Sequence, residues 1–113
     1  MTPLLGFTKF KEKLLDGSKT QTIRKPRKHP IKVGDTLYIY WNLRRKNCQK
    51  LGEGLVTNIV RKKLWEINND DAVKDGFKNL QEFDELFHAQ MHPDASMEDY
   101  FDIITWRWTK KLV

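Results

Sequence analysis

Cysteine is almost missing from this chain of 113 residues: Cys48 stands alone, which excludes an internal disulfide and any cysteine-rich zinc site. With no histidine near it in sequence, Cys48 reads as a small side chain beside a basic loop rather than as a catalytic thiol. Long apolar runs are missing too, and none approaches the ~20 residues that a membrane-spanning helix needs. Near the start, Lys9, Lys11 and Lys13 interrupt the apolar residues, so the pattern is not that of a signal peptide and a cytoplasmic location is expected. Repeats and low-complexity segments are absent. The length suits one domain over residues 1–113, burying roughly two-thirds of the unfolded surface around one core.

Acidic residues are scarce in the first part of the chain. Residues 1–63 hold 16 Lys and Arg against 4 Asp and Glu, whereas residues 64–113 hold 5 against 11. The cations cluster in Arg24-Lys25-Pro26-Arg27-Lys28, Arg44-Arg45-Lys46 and Arg61-Lys62-Lys63. Such asymmetry predicts a basic surface and a polyanionic partner, with no membrane and no obligate protein partner indicated.

Along the chain, Met1 to Leu5 suggests a short strand. The spacing of Phe7, Phe10, Leu14 and Leu15 predicts a helix from Thr8, capped by that threonine and ended at Gly17, where a left-handed residue costs glycine nothing. Thr20, Thr22 and Ile23 favour a strand directly afterwards, which puts Thr22 and Arg24 on one face; Lys19 joins them only if the corner after Gly17 breaks the alternation. Residues 25–32 read as a loop because Pro26 and Pro30 exclude regular pairing. Gly34-Asp35 turns the chain into a strand from Thr36 to Asn42. A basic connection from Leu43 to Lys50 leads to a long strand over Gly52 to Ile67, with Leu55, Ile59 and Trp65 or their neighbours packed inward and a bulge allowed at Gly52 and Gly54. Asn68 or Asn69 starts one helical turn that ends at Gly76. Asn79 caps another helix, whose buried stripe is Leu80, Phe83, Leu86 and Phe87. His88 and His92 are four apart, but Pro93 follows and no third ligand is evident, so no metal site and no cofactor are expected. The chain closes on a strand from Tyr100 to Trp108 in which Trp106 and Trp108 share a face. About five strands with local connections and two or three helices predict an α+β fold: a small, mostly antiparallel β-barrel with helices at its openings.

Gly17-Ser18-Lys19-Thr20-Gln21-Thr22-Ile23-Arg24 places an amine, a hydroxyl and a guanidinium within eight residues. Its pattern, Gly-x-Lys-x-x-Thr-x-Arg, resembles the signature of the ASCH domain, a small PUA-like barrel family. Val33-Gly34-Asp35-Thr36-Leu37 resembles that family's turn into its next strand, and Ala72-x-x-Asp75-Gly76-Phe77 resembles its Ala-x-x-Glu-Gly-Phe segment, with Asp75 in place of Glu. The likeness runs over roughly residues 7 to 108. Threonine at position 22, where much of the family has an acid, is similar to the small bacterial members that hydrolyse N4-acetylcytidine. The resemblance therefore implies Thr22 as nucleophile, Lys19 as its base and Asp75 as the downstream carboxylate partner.

From the residues themselves, a basic wall beside aromatic rings is what holds a nucleotide: cations take the phosphate and a ring stacks on the base. Arg24, Lys25, Arg27, Lys28, Arg44 and Arg45 are the candidate cations. Trp106 and Trp41 are the candidate rings, Trp41 being equally suited to filling the core. RNA or a modified nucleoside is the expected partner. Three readings stay open: a non-catalytic RNA-binding module, and two that the resemblance implies, an amidohydrolase acting on an acylated cytidine and a metal-independent ribonuclease in which Lys19 and Arg24 stabilise the phosphorane. A neutral lysine is scarce at pH 7.4, about one in a thousand, so the base role asks for a depressed pKa.

Overall fold

The structure, a computed structural model, describes residues 3–112 apart from the side chains of Gln90 and Met91. Five strands, β1 (Leu4–Phe7), β2 (Gln21–Arg24), β3 (Thr36–Trp41), β4 (Gln49–Lys63) and β5 (Tyr100–Lys111), form one sheet in the order β1-β3-β4-β5-β2. Every neighbouring pair is antiparallel except β1 with β3. Register shifts at Ile39/Tyr40, Glu53/Gly54 and Val56/Asn58 interrupt the ladders, and extra residues of this kind bend the strands that carry them. The sheet is accordingly curled into a half-barrel, the small α+β architecture expected from the sequence. The two helices α2 (Asn69–Asp75) and α3 (Leu80–Leu86) pack beside the β2–β5 side, and α1 (Lys11–Leu15) links β1 to β2.

Burial follows the alternation along the strands. Leu37 and Ile39 of β3, Leu51 and Val56 of β4, and Ile104 and Trp106 of β5 meet Leu5, Phe7 and Leu14 inside the curl. The opposite alternates of β5, Phe101 and Ile103, meet Ile23 and the helical Phe77, Phe83 and Phe87 in a second cluster. Strand β5 is covered on both faces, which is why its central run carries few polar side chains.

The two edge strands, β1 and β2, have no backbone ladder between them. Their gap is bridged by side chains: Arg24 Nη2 donates to Gly6 O at 2.7 Å and Arg27 Nη2 to Leu4 O at 2.8 Å. Two arginines thereby satisfy edge carbonyls that would otherwise need water or another chain.

Several local expectations change. The first helix starts at Lys11, and its N-cap is Phe10 in the left-handed region (φ 63°) with no side-chain capping bond, so Thr8 does not cap it. Strand β4 stops at Lys63 in a 3-10 turn over Leu64–Glu66; Val56 fills the inward position beside Leu55, and Trp65 is 56% exposed instead of packed. Leu4 to Phe7 forms the first strand, while Met1 and Thr2 of the expected strand lie outside the described residues. Asn68 and Asn79 cap α2 and α3 as expected, each accepting from the backbone N–H three residues on, at 2.9 Å.

Candidate functional site

The corner after α1 positions the first candidate side chain. Gly17 sits at φ 83°, and the Lys19 N–H reaches back to Lys13 O at 2.9 Å, which closes the turn and breaks the strand alternation. Lys19 thus points inward and is only 3% exposed. Its Nζ donates to Gln21 O at 2.7 Å, to Asp75 Oδ1 at 3.2 Å and to the Asp75 carbonyl oxygen. Asp75 is the last residue of α2, and that helix is fastened to β2 by Gln21 Nε2 donating to Asp71 O at 3.0 Å. Gly76 follows at φ 116°; a Cβ there would lie 2.9 Å from the Phe10 ring, so the Asp75–Gly76 corner and the Phe10 ring are packed into one another. On β2, Arg24 Nε donates to Thr22 Oγ1 at 2.9 Å, as two residues on one face of a strand can.

Charge states follow from burial and partners. Burial pushes the Asp75 carboxyl up to about 6 from 3.8, against the attraction of Lys19 and Arg24 and a hydrogen bond from the Ile23 backbone. Burial also lowers Lys19 below its ordinary 10.5, opposed by Asp75. Three oxygens surround Nζ, and satisfying all three takes three N–H groups, which only the ammonium has. At pH 7 the resting pair is therefore Lys19 ammonium with Asp75 carboxylate. Arg24 is held below its usual range by burial, with Arg27 adding a like charge nearby.

Lys19, Thr22, Arg24 and Asp75 line one hollow of about 200 Å³, together with Gly6, Phe7, Thr8, Lys9, Phe10, Ile23 and His92. Amine, hydroxyl, guanidinium and carboxylate thus converge on one place. The hollow continues past Gly6, Thr8 and Arg24 into a second one of about 330 Å³ lined also by Arg27, Arg44 and Arg45. A third, outer cleft of about 1130 Å³ adds Lys28, His29, Ile31 and Lys32. Of the expected cations, Arg24, Arg27, Lys28, Arg44 and Arg45 thus border a continuous groove, whereas Lys25 is exposed in the following loop and lines none of the three hollows.

The tryptophans are placed differently. Trp106 is 2% exposed and packs inside the curl, 5.9 Å from Phe7 and 6.1 Å from Trp108 between ring centroids, so it offers no face for stacking. Trp41 packs against the same core with the Lys11 ammonium 5.5 Å over its ring. The rings that do border the hollow are Phe7, Phe10 and His92, and burial, with Lys25 and Arg24 nearby, lowers the His92 pKa below its ordinary value. Sequence reasoning assigned Phe7 and Phe10 to a helix face. The left-handed backbone at Phe10 is what brings its ring to the site, and nothing local in the sequence signals it. Among the described residues no group of three metal-ligating side chains is gathered.

The curled five-stranded sheet with its helices is a fold shared with an ASCH protein, in line with the resemblance carried by the motif. Two solved structures share it. One is a protein of Enterococcus faecalis V583 described as DUF984, with a TM-score of 0.74 and 12% identity, over 100% of this chain and 83% of that one. The other is the ASCH protein of Zymomonas mobilis, with a TM-score of 0.59 and 17% identity, over 92% of this chain; this chain spans 66% of that protein's length. No protein-family model and no curated protein sequence matches the chain.

Proposed function

We propose that the inner hollow binds the base of a modified nucleoside and hydrolyses an amide on it, with N4-acetylcytidine as the candidate substrate. The observation that carries this reading is the convergence of Lys19, Thr22, Arg24 and Asp75 on one hollow of about 200 Å³. The Thr22 oxygen attacks the acyl carbon while its proton passes to the Asp75 carboxylate. The oxyanion is met by N–H groups of Arg24, which spends only Nε and one Nη2 hydrogen on the protein. Collapse breaks the bond between the acyl carbon and the exocyclic nitrogen, which takes the proton from Asp75, and cytidine leaves. Water then hydrolyses the Thr22 ester by the same proton route, releasing acetate.

The roles differ from those implied by the family resemblance. Lys19 has all three N–H groups engaged on protein oxygens, so it serves to hold Asp75 ionised rather than to act as base. Asp75, with a pKa of about 6, is matched to proton transfer near neutrality. The same engagement disfavours the ribonuclease reading, which needs Lys19 to turn toward a phosphorane.

Incubation with N4-acetylcytidine and chromatography for cytidine and acetate tests the proposal. Turnover is expected in the native protein and in Thr22→Ser, with loss in folded Thr22→Ala and an acetyl group on residue 22 detectable by mass spectrometry. Binding of cytidine without turnover of the acetylated form would reduce the site to a binding module, and cleavage of single-stranded RNA would favour the nuclease.

A further inference from the structure

The middle hollow has a chemistry that the amide reaction draws on only at Arg24. It is lined by Arg24, Arg27, Arg44 and Arg45, with Thr8 and Asn42, and no carboxylate is among its lining residues. Among the described residues none of these four arginines is in an ion pair, although Lys19, Lys50, Arg61, Lys62, Lys63 and Lys74 all are. Arg24 and Arg27 are also fixed in place, because each gives one Nη2 hydrogen to a carbonyl of β1. Asp75 acts as a counter-charge on Arg24 alone, so like charges gathered here repel one another, and anchoring them in advance removes much of the ordering cost of receiving an anion. Guanidinium groups held in this way suit a phosphate, whose oxygens accept two parallel N–H bonds.

We propose that this middle hollow is a phosphate subsite, and that the substrate class is a phosphorylated nucleoside whose base fills the inner hollow and whose ribose phosphate lies between Arg27 and Arg44. The inference rests on the proposed function only in taking the occupant of the inner hollow to be a nucleoside. The two hollows adjoin at Gly6, Thr8 and Arg24, so base and phosphate belong to one ligand. A free nucleoside monophosphate and a phosphodiester in a strand carry the same group. The outer cleft separates these sources, because its apolar Ile31 and Leu43 beside Lys28 would receive a neighbouring nucleotide only in a strand.

Calorimetric titration with cytidine, cytidine 5′-monophosphate, cytidine 3′-monophosphate and a cytidine trinucleotide tests the proposal without requiring turnover. At least one monophosphate is expected to bind about tenfold tighter than cytidine, the gain shrinking as salt rises. Arg44→Gln is expected to erase most of that gain, and Arg27→Gln combined with Arg44→Gln nearly all of it, while Lys110→Gln on the far end of β5 preserves it. Further tightening by the trinucleotide identifies a strand as the source, and its absence identifies the free nucleotide; both support the subsite. Equal affinity for cytidine and both monophosphates, or a gain that survives the double substitution, overturns it. Hydrolysis of N4-acetylcytidine together with equal affinities would remove the phosphate subsite and leave the proposed reaction standing. A salt-sensitive phosphate gain without any hydrolysis would do the reverse.

Discussion

Asp75 is a carboxylate kept where its charge is costly. Folded, it holds its proton up to about pH 6, whereas the unfolded group releases it near 3.8. The native state therefore binds more protons between those values, and this group's stabilising contribution is full below about 3.8 and lost as pH rises through 6. A rise from 3.8 to about 6 corresponds to about 3 kcal/mol. Asp75→Asn keeps an oxygen that can accept from Lys19 and removes the charge. In denaturant titrations the variant is expected to match the native protein at pH 4 and to exceed it at pH 7 by up to about 3 kcal/mol, because the native carboxylate is ionised there against its burial and the asparagine is not. A variant less stable than the native protein at pH 7 and equal at pH 4 would show that ionisation of Asp75 helps folding. Activity should move the other way, with kcat falling about 10²- to 10⁴-fold if Asp75 carries the proton.

Lys19 can be distinguished from a base by a pH profile. In the native protein kcat/KM is expected to fall below about pH 6, the Asp75 value. Removing the neighbouring ammonium in Lys19→Met takes away the strongest influence favouring the ionised carboxylate, so the acid limb should shift to higher pH with residual activity above it. Loss of turnover at every pH in a folded Lys19→Met would return the base role to lysine.

At the scale of elements, the corners hold the site. Gly76 ends α2 at φ 116° with the Phe10 ring 2.9 Å from where a Cβ would stand, whereas Gly34 turns at φ 94° with nothing within 4 Å. Gly34→Ala is expected to cost only the left-handed backbone penalty, about 1 to 2 kcal/mol, and Gly76→Ala clearly more because Phe10 must also move. Equal losses in thermal or denaturant unfolding would mean that the ring has room to yield.

These corners also mark what a sequence can carry. Asn68, Asn79, Gly17 and Gly76 act through hydrogen bonds and backbone angles within a few residues, so their roles were readable along the chain. Phe10 was not, because its ring packs against Phe77 and Gly76, more than sixty residues away. The alternation of β5 correctly put Trp106 and Trp108 on one face. Whether that face lay in a pocket or in the core depended on how the sheet curls, and the curl put Trp106 in the core.

For the whole molecule, the open side of the half-barrel is where the fold meets the candidate site. Arg24 and Arg27 bridge β1 to β2 and at the same time border the groove that joins the three hollows. Replacing both with glutamine should loosen β1 before the rest of the sheet. Amide hydrogen exchange is expected to speed up at Leu5 and Phe7 while the β4–β5 ladder keeps its protection; uniform acceleration would indicate that the arginines support the fold globally. The basic residues of the first 63 positions were expected to form a surface for an anion; Arg24, Arg27, Lys28, Arg44 and Arg45 line the middle and outer hollows.

The most direct test is the acetyl balance of one reaction. Native protein mixed with N4-acetylcytidine should release cytidine and acetate in equal amounts, and folded Thr22→Ala should release neither. Intact N4-acetylcytidine after prolonged incubation with the native protein, or undiminished release by Thr22→Ala, would contradict the account.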